Sequence, residues 1–246
     1  MGSHFRVVGN QITFEDARFY YQDGIFCPSI STILEAYPKG PEFYKWLKET
    51  GEESDKIRDR AGVQGSNVHR MTEDYDNGLL VSLLDTDGHQ TWTMKEWGYF
   101  SRYVEFRNQV GDAMKILGIE LQIVDPELRE AGTIDRIVTI GDKTLLLDIK
   151  TSNNLYDSYY LQLAAYKRLF ERKSPEIKID AIGIVWLNAK TRGTQPKKLQ
   201  GNGWQVLLRE DTTEDLSLFE CTKKLWLAQN KNLTPKEISY QLSYQL

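Results

Sequence analysis

The sequence predicts an α/β sandwich built around a mixed β-sheet, and two observations predict it. Up to about residue 110 the longer segments carry apolar side chains at helical spacing, and between residues 119 and 151 the period changes to that of strands. A further helix, two more strands and a closing helix follow. That order is the one expected of a sheet covered by helices.

The elements read as follows. QITFEDARFYYQDGIF alternates and turns, which suggests two short strands. PSISTILEAY reads as a short helix that Ser29 or Ser31 could cap. PEFYKWLKETG is a compact helix that begins at Pro41 and stops at Gly51. EESDKIRDRAGVQGSNVHRMTEDYDNG is polar and helical, closed by Asn77 and Gly78, and it aligns His69 with Glu73 on one face. After a loop containing DTDGHQ, MKEWGYFSRYVEFRNQVGDAMKILG repeats Trp97, Phe100, Tyr103, Phe106 and Val110 at helical spacing. That stripe reads as core packing rather than as a base-stacking platform. IELQIVD, AGTIDRIVTI and TLLLDIKT are three successive strands. LYDSYYLQLAAYKRLFERK is a helix whose apolar stripe is Leu155, Tyr159, Leu163, Tyr166 and Leu169 or Phe170. Beyond Pro175, IKIDAIGIVWLNA and GWQVLLR read as strands and LSLFECTKKLWLAQN as a C-terminal helix. No internal repeat, low-complexity tract or linker interrupts the chain.

Composition narrows the classes of function. The 246 residues suit one domain with insertions, and 40% hydrophobic with 27% charged residues is the profile of a soluble globular chain. No apolar run approaches the roughly 20 residues of a membrane span. MGSHFRVVGN lacks the layout of a signal peptide, so a cytoplasmic location is expected, in a bacterial or phage-infected cell or an organelle; the leading MGSH reads as a vector remnant, and His4 is given no role. Cys27 and Cys221 are too few for a disulfide framework or a four-thiolate cluster, which argues against redox chemistry. A net charge of −4 argues against a protein that coats nucleic acid without specificity. It leaves room for a local basic track, either Lys167, Arg168, Arg172 and Lys173 or Lys190, Arg192, Lys197 and Lys198. Read alone, each of these is more often a solvated face than a binding surface.

The stretch LLLDIKTS, residues 145–152, puts a carboxylate and an ammonium near the end of a strand that otherwise reads as buried. Side chains alternate along a strand, so Asp148 and Lys150 point one way and Leu145, Leu147 and Ile149 the other. Gly141 and Asp142 suit a two-residue hairpin turn. If Ile140 pairs with Lys143, Asp135 lands opposite Asp148, with Cβ atoms on the order of 5 Å apart. A three-residue loop would put Asp135 on the other face. Two like charges so close call for a positive partner, and a hard divalent cation is one. On spacing alone a second reading stands beside it: Asp148 and Lys150 form a strand-end ion pair, and Asp135 is a solvated edge residue.

GTID at 132–135, Asp148-Ile149-Lys150 thirteen positions later, and Gln162 and Tyr166 in QLAAY together resemble the PD-(D/E)XK nuclease superfamily. The closer likeness is to its RecB-type exonuclease branch, in which a histidine on an upstream helix precedes the acidic motifs; GSNVH, ending at His69, is similar to that element. PSISTIL resembles a segment of phage-type and mitochondrial-exonuclease relatives. The likeness covers roughly Cys27 to Phe170, and the usual glutamate before the lysine is Asp148 here.

The resemblance implies a restriction-endonuclease-like core, a central mixed β-sheet flanked by helices, with an N-terminal helical region. It implies one nuclease domain over 1–246, with the histidine motif in 1–118, the catalytic sheet core in 119–210 and C-terminal helices in 211–246. It further implies that Asp135 and Asp148 bind Mg²⁺ or Mn²⁺, that the Ile149 carbonyl adds an oxygen, and that His69 completes one side of the metal site. An imidazole suits Mn²⁺ better than Mg²⁺. Lys150 is then the charge beside the reacting phosphate. Gln162 and Tyr166 lie over the site, where Tyr166 is equally a member of the apolar stripe. Glu73 could orient His69 or belong to the helix surface. Glu120 matches an acidic position frequent in relatives or faces solvent, and Glu130 is a further acidic candidate. The implied activity is a metal-dependent DNA exonuclease acting on single-stranded or frayed ends in recombination, repair or phage DNA metabolism, with DNA as partner and no membrane. The alternatives are a noncatalytic DNA-end or partner-binding module on the same fold and a structure-specific endonuclease.

Overall fold

Strands β5 (Met114–Asp125), β6 (Glu130–Ile140), β7 (Lys143–Lys150), β8 (Ala181–Thr191) and β9 (Lys198–Arg209) lie side by side in that order as one five-stranded sheet. In this computed structural model the described residues are 6–8, 11–14, 17–191, 198–231 and 235. Every neighbouring pair is antiparallel except β7 and β8. A parallel pair needs a long crossover, and α5 (Asp157–Lys173) supplies it. The sheet is therefore mixed, as expected.

Alternation along β7 sends its apolar side chains to two separate cores. Leu145, Leu147 and Ile149 pack with Tyr99, Phe100, Tyr103 and Phe106 of α4 (Met94–Val110) and with Val68 and Met71 of α3 (Glu53–Asp76). Leu146 packs on the other face with Leu161, Leu163 and Leu169 of α5 and with Phe219 and Trp226 of α6 (Thr213–Gln229). β8 follows the same rule, with Ile182 and Ile184 toward α5 and Val185 and Leu187 toward α4. The aromatic stripe on α4 is core.

Four short strands, β1 (Arg6–Val8), β2 (Gln11–Phe14), β3 (Ala17–Gln22) and β4 (Ile25–Pro28), form a separate antiparallel sheet. This corrects the expectation of two. Asp23 and Gly24 make a two-residue turn, so Ile25–Pro28 returns as a strand of its own. The sheet leads into α1 (Ile30–Ile33), where Ser29 is the cap: its Oγ accepts from the Thr32 N–H at 3.0 Å. Helix α2 (Pro41–Thr50) ends before Gly51, as its sequence indicated. Another boundary differs from expectation. The aromatic helix stops at Val110, and Met114 to Leu117, which had read as its tail, already belong to β5. At its other end Thr93 and Glu96 form a reciprocal capping box, and Glu96 also accepts from Asn67 of α3 at 2.7 Å.

Charged groups tie the layers together. Arg136 of β6 is 1% exposed, and its Nε donates to Asp76 Oδ2 at 2.7 Å. Its Nη2 donates to Thr72 Oγ1 at 3.1 Å, and Arg107 of α4 lies 2.9 Å from the other Asp76 oxygen. The Tyr103 hydroxyl also donates to Asp76. On the opposite face Glu130 is fully buried between Arg168 and Lys223, Arg168 also pairs with Glu220, and Arg172 pairs with Asp125 and Glu127. Two members of the first basic track are thus engaged by carboxylates within the fold, and Glu130 is the structural partner of one of them, Arg168. In the second track Arg192 and Lys197 lie outside the described residues.

Removing one member of a buried ion pair leaves the other uncompensated, so Asp76→Asn is expected to lower unfolding stability by about 3 kcal/mol or more. Urea unfolding measures this, and a loss below about 1 kcal/mol would show that Arg136 finds enough compensation elsewhere.

Candidate functional site

Gly141 takes φ +64° while Asp142 keeps an ordinary backbone, the pattern of a type II′ turn with glycine first. Ile140 accordingly pairs with Lys143, and the register runs unbroken to Arg136 opposite Leu147. Asp135 and Asp148 are the next positions on the two strands. Here a side chain continues the ladder: the Ile149 N–H donates to Asp135 Oδ2 at 2.8 Å. A slip of one residue would have reversed the faces and broken this bond.

Helix α3 brings His69 to the same place. Its Nδ1 lies 3.4 Å from Asp135 Oδ2 and 3.6 Å from Glu120 Oε1. Glu120 stands on β5 with φ +46°, a left-handed backbone that is strained for a residue with a side chain. The register between β5 and β6 shifts between Ile116 and Gly118, just before it. The Glu120 carboxylate also accepts from Arg136 at 3.3 Å. His69, Glu120 and Asp135 can each offer one ligand atom, and these atoms lie within 4.8 Å of one another. Alternation by itself does not single out Glu120, but Gly118 within a strand marks the irregularity that presents it.

Asp148 is 4% exposed and holds Lys150, whose Nζ is 2.7 Å from Oδ2 and donates to Oδ1 at 3.0 Å. Lys150 reaches Gln162 Oε1 at 3.5 Å, and Gln162 Nε2 donates to the Tyr166 hydroxyl at 3.2 Å. Tyr166 lies over Gly132. A Cβ at Gly132 would come within 2.5 Å of the Tyr166 hydroxyl oxygen, so only glycine admits the ring there. Gly132 and Tyr166, thirty-four positions apart in the chain, are thus one packing unit. All the residues singled out in the nuclease-like motifs meet in two linked groups: His69 with Asp135 and the Ile149 backbone, and Asp148 with Lys150, Gln162 and Tyr166. Glu73 stands close enough for the Glu120 charge, after burial, to push its carboxyl up.

The carboxylates of the site act on the groups around them. Burial opposes a proton on His69, but the Asp135 and Glu120 carboxylates outweigh it and raise the imidazole to about 9. Burial and the neighbouring Asp135 push the Asp148 carboxyl up to about 6, against the pull of Lys150. Burial also disfavours charge on Lys150, yet Asp148 and Asp135 more than compensate, and its ammonium is held more tightly than usual. Three carboxylates thus rely on an imidazole proton, an ammonium and one guanidinium. One nitrogen and several carboxylate oxygens form a donor set that fits a divalent cation.

Residues 32–231 match the family model of the PD-(D/E)XK nuclease superfamily. No curated protein matches the chain. Among solved structures, that of a candidate exonuclease from Eubacterium rectale is 12% identical, with 89% of this chain and 90% of that chain covered and a TM-score of 0.47. The structure of the protein SSO0001 is also 12% identical, covering 82% of this chain and 75% of that chain at a TM-score of 0.36. The family match spans most of the chain.

In metal-free protein the His69 imidazole is expected to titrate near 9, and in Glu120→Gln to move down toward the ordinary 6.5. The folded value is raised, so the stabilisation from His69 is fully present below about 6.5 and is lost as pH rises through about 9. Imidazole NMR titration of both proteins checks this. The same midpoint in both would show that Glu120 does not act on His69.

Proposed function

The chain belongs to the PD-(D/E)XK nuclease superfamily, and from that premise we propose that it is a metal-dependent DNA exonuclease working on single-stranded or frayed ends. The observation that carries the proposal is the convergence of Asp135, Asp148 and Lys150 at the end of one hairpin, with His69 and Glu120 facing them. A binding module has no use for several carboxylates beside a phosphate.

His69, Glu120, Asp135 and Asp148 would hold a divalent ion, Mg²⁺ or Mn²⁺, with the Ile149 carbonyl as a further oxygen. Such an ion, when bound, supplies charge that acidifies an attacking water and offsets the charge of the phosphate. The chain itself does the rest. Asp135 is held to β7 by the Ile149 N–H, so its other oxygen is directed by the backbone. His69 would give up its proton to offer its nitrogen as a ligand, so cation binding would tighten as pH rises toward 9. Lys150, no longer needed as the counter-charge of Asp148, presents its ammonium to a phosphate oxygen. Gln162, braced by Tyr166, holds the lysine from the helix side.

Digestion of end-labelled linear and circular DNA, single- and double-stranded, with Mg²⁺, Mn²⁺ or EDTA tests the reading. Mononucleotides or short products from linear single strands are expected, with none in EDTA. Cleavage of circles would replace it with an endonuclease, and no cleavage with a binding module. Asp135→Asn and Asp148→Asn are each expected to abolish turnover while preserving fold and DNA binding. Lys150→Met at saturating metal should bind the cation and lose on the order of 10²–10³ in kcat. Near-normal kcat would remove Lys150 from the chemistry.

A further inference from the structure

Three neighbours hold the Lys150 ammonium, and they differ in kind. Asp148 offers a charge at 2.7 Å, Gln162 a carbonyl oxygen at 3.5 Å, and Tyr159 the face of its ring, with the centroid 4.6 Å from Nζ. We propose that Tyr159 is a positioning residue, whose ring keeps the Lys150 ammonium at the reaction centre while Asp148 is occupied by a cation. The proposal rests on the nuclease reading above and extends it to a side chain outside the motif residues.

The need for such a residue follows from the charges. Asp148 is the nearest carboxylate to Lys150 and also belongs to the set that would hold a divalent ion. A cation on Asp148 weakens its hold on the ammonium and repels it as well. Lys150 keeps 18% of its side chain exposed, so an outward route is open to it. Gln162 alone is a weak tether at 3.5 Å.

A ring face meets the need in a way a second carboxylate does not. Its quadrupole attracts a cation, most strongly where water is excluded. It accepts no proton, presents no competing negative charge to the metal, and leaves an ammonium N–H for a phosphate oxygen. The ring is itself fixed. Tyr156 stands edge-on to it at 5.5 Å and 85°, and the body of Tyr159 packs against the core under α5. Tyr159 and Gln162 lie three residues apart on α5, so one helix face delivers both to the lysine. The helical stripe already accounts for an apolar residue at 159, but not for an aromatic one beneath a charge.

Two measurements on Tyr159→Leu and Tyr159→Phe test the proposal. The first is the proton spectrum of the Lys150 ε-methylene, recorded without metal and with Mg²⁺. A ring-current displacement is expected in the wild type and in Tyr159→Phe under both conditions, and it should vanish in Tyr159→Leu. The second is steady-state cleavage of single-stranded DNA at saturating metal. Tyr159→Leu should lose on the order of tenfold in kcat, the size of a partly desolvated cation–π contact, with KM changed by less than about twofold. Tyr159→Phe should stay within about twofold of wild type. Equal losses in both variants would assign the effect to the hydroxyl or to packing and overturn the proposal. So would a ring-current displacement that disappears when Mg²⁺ is added. The spectrum does not depend on turnover, so a protein that cleaves nothing would refute the nuclease reading while the Lys150 signal still decides the role of Tyr159.

Discussion

The buried pairing of Arg136 with Asp76 is the interaction on which the rest of the site depends. Arg136 follows Asp135 on β6, and its Nη1 donates to the Asp135 carbonyl oxygen at 2.7 Å. What holds Arg136 therefore also sets where Asp135 points. On α3, His69, Thr72 and Asp76 recur at helical spacing and share one face. Arg136 bonds Thr72 and Asp76, which fixes both the distance of α3 from the sheet and its rotation, and His69 arrives beside Asp135 two turns earlier on the same helix. Apolar packing alone would hold the helix without fixing its rotation. Arg107 and Tyr103 extend the network to α4, so both helices of that layer are aligned by one carboxylate.

A second constraint is electrostatic. Glu120, Asp135 and Asp148 are gathered at one place, burial penalises the charge of Asp148, and the fold compensates with groups that are able to leave: a proton on His69 and an ammonium on a long side chain. The guanidinium of Arg136 stays, since its other bonds are to Asp76, Thr72 and the Asp135 carbonyl oxygen. On the proposed reading, an entering cation would meet carboxylates whose compensating charges could be displaced without disturbing the scaffold. The strained backbone at Glu120 belongs to the same arrangement, because it brings a third carboxylate to His69 at a point where regular strand geometry would not present it.

How much of this was legible in the sequence depended on the range of the interaction. Short-range geometry was readable. Gly141-Asp142 predicted the hairpin, the hairpin predicted the register, and the register set Asp135 beside Asp148. The Ser29 cap and the α4 stripe followed from local chemistry in the same way. Features that depend on distant partners were not readable. Arg168 and Arg172 looked like a basic track because Glu130, Glu220 and Asp125 are far away in the chain. The contribution of Glu120 needs a bulge and a positive φ, and only Gly118 hints at either. The start of β5 was hidden because Met114 and Ile116 continue an aromatic helical pattern too briefly to declare a new period. Gly132 was noticed as part of a motif, but its reason, the Tyr166 ring lying on it, is a tertiary contact.

The central claim is that His69, Glu120, Asp135 and Asp148 share one divalent cation, and that Lys150 gives up Asp148 to it. Anomalous diffraction from crystals of the wild-type protein soaked in Mn²⁺ measures this most directly. The account predicts a single strong peak bounded by the Asp135 and Asp148 carboxylates and the His69 imidazole, with the Lys150 ammonium moved off Asp148 and still over the Tyr159 ring. A saturating soak that leaves the Lys150–Asp148 pair intact, with the peak absent or lying elsewhere, would contradict it.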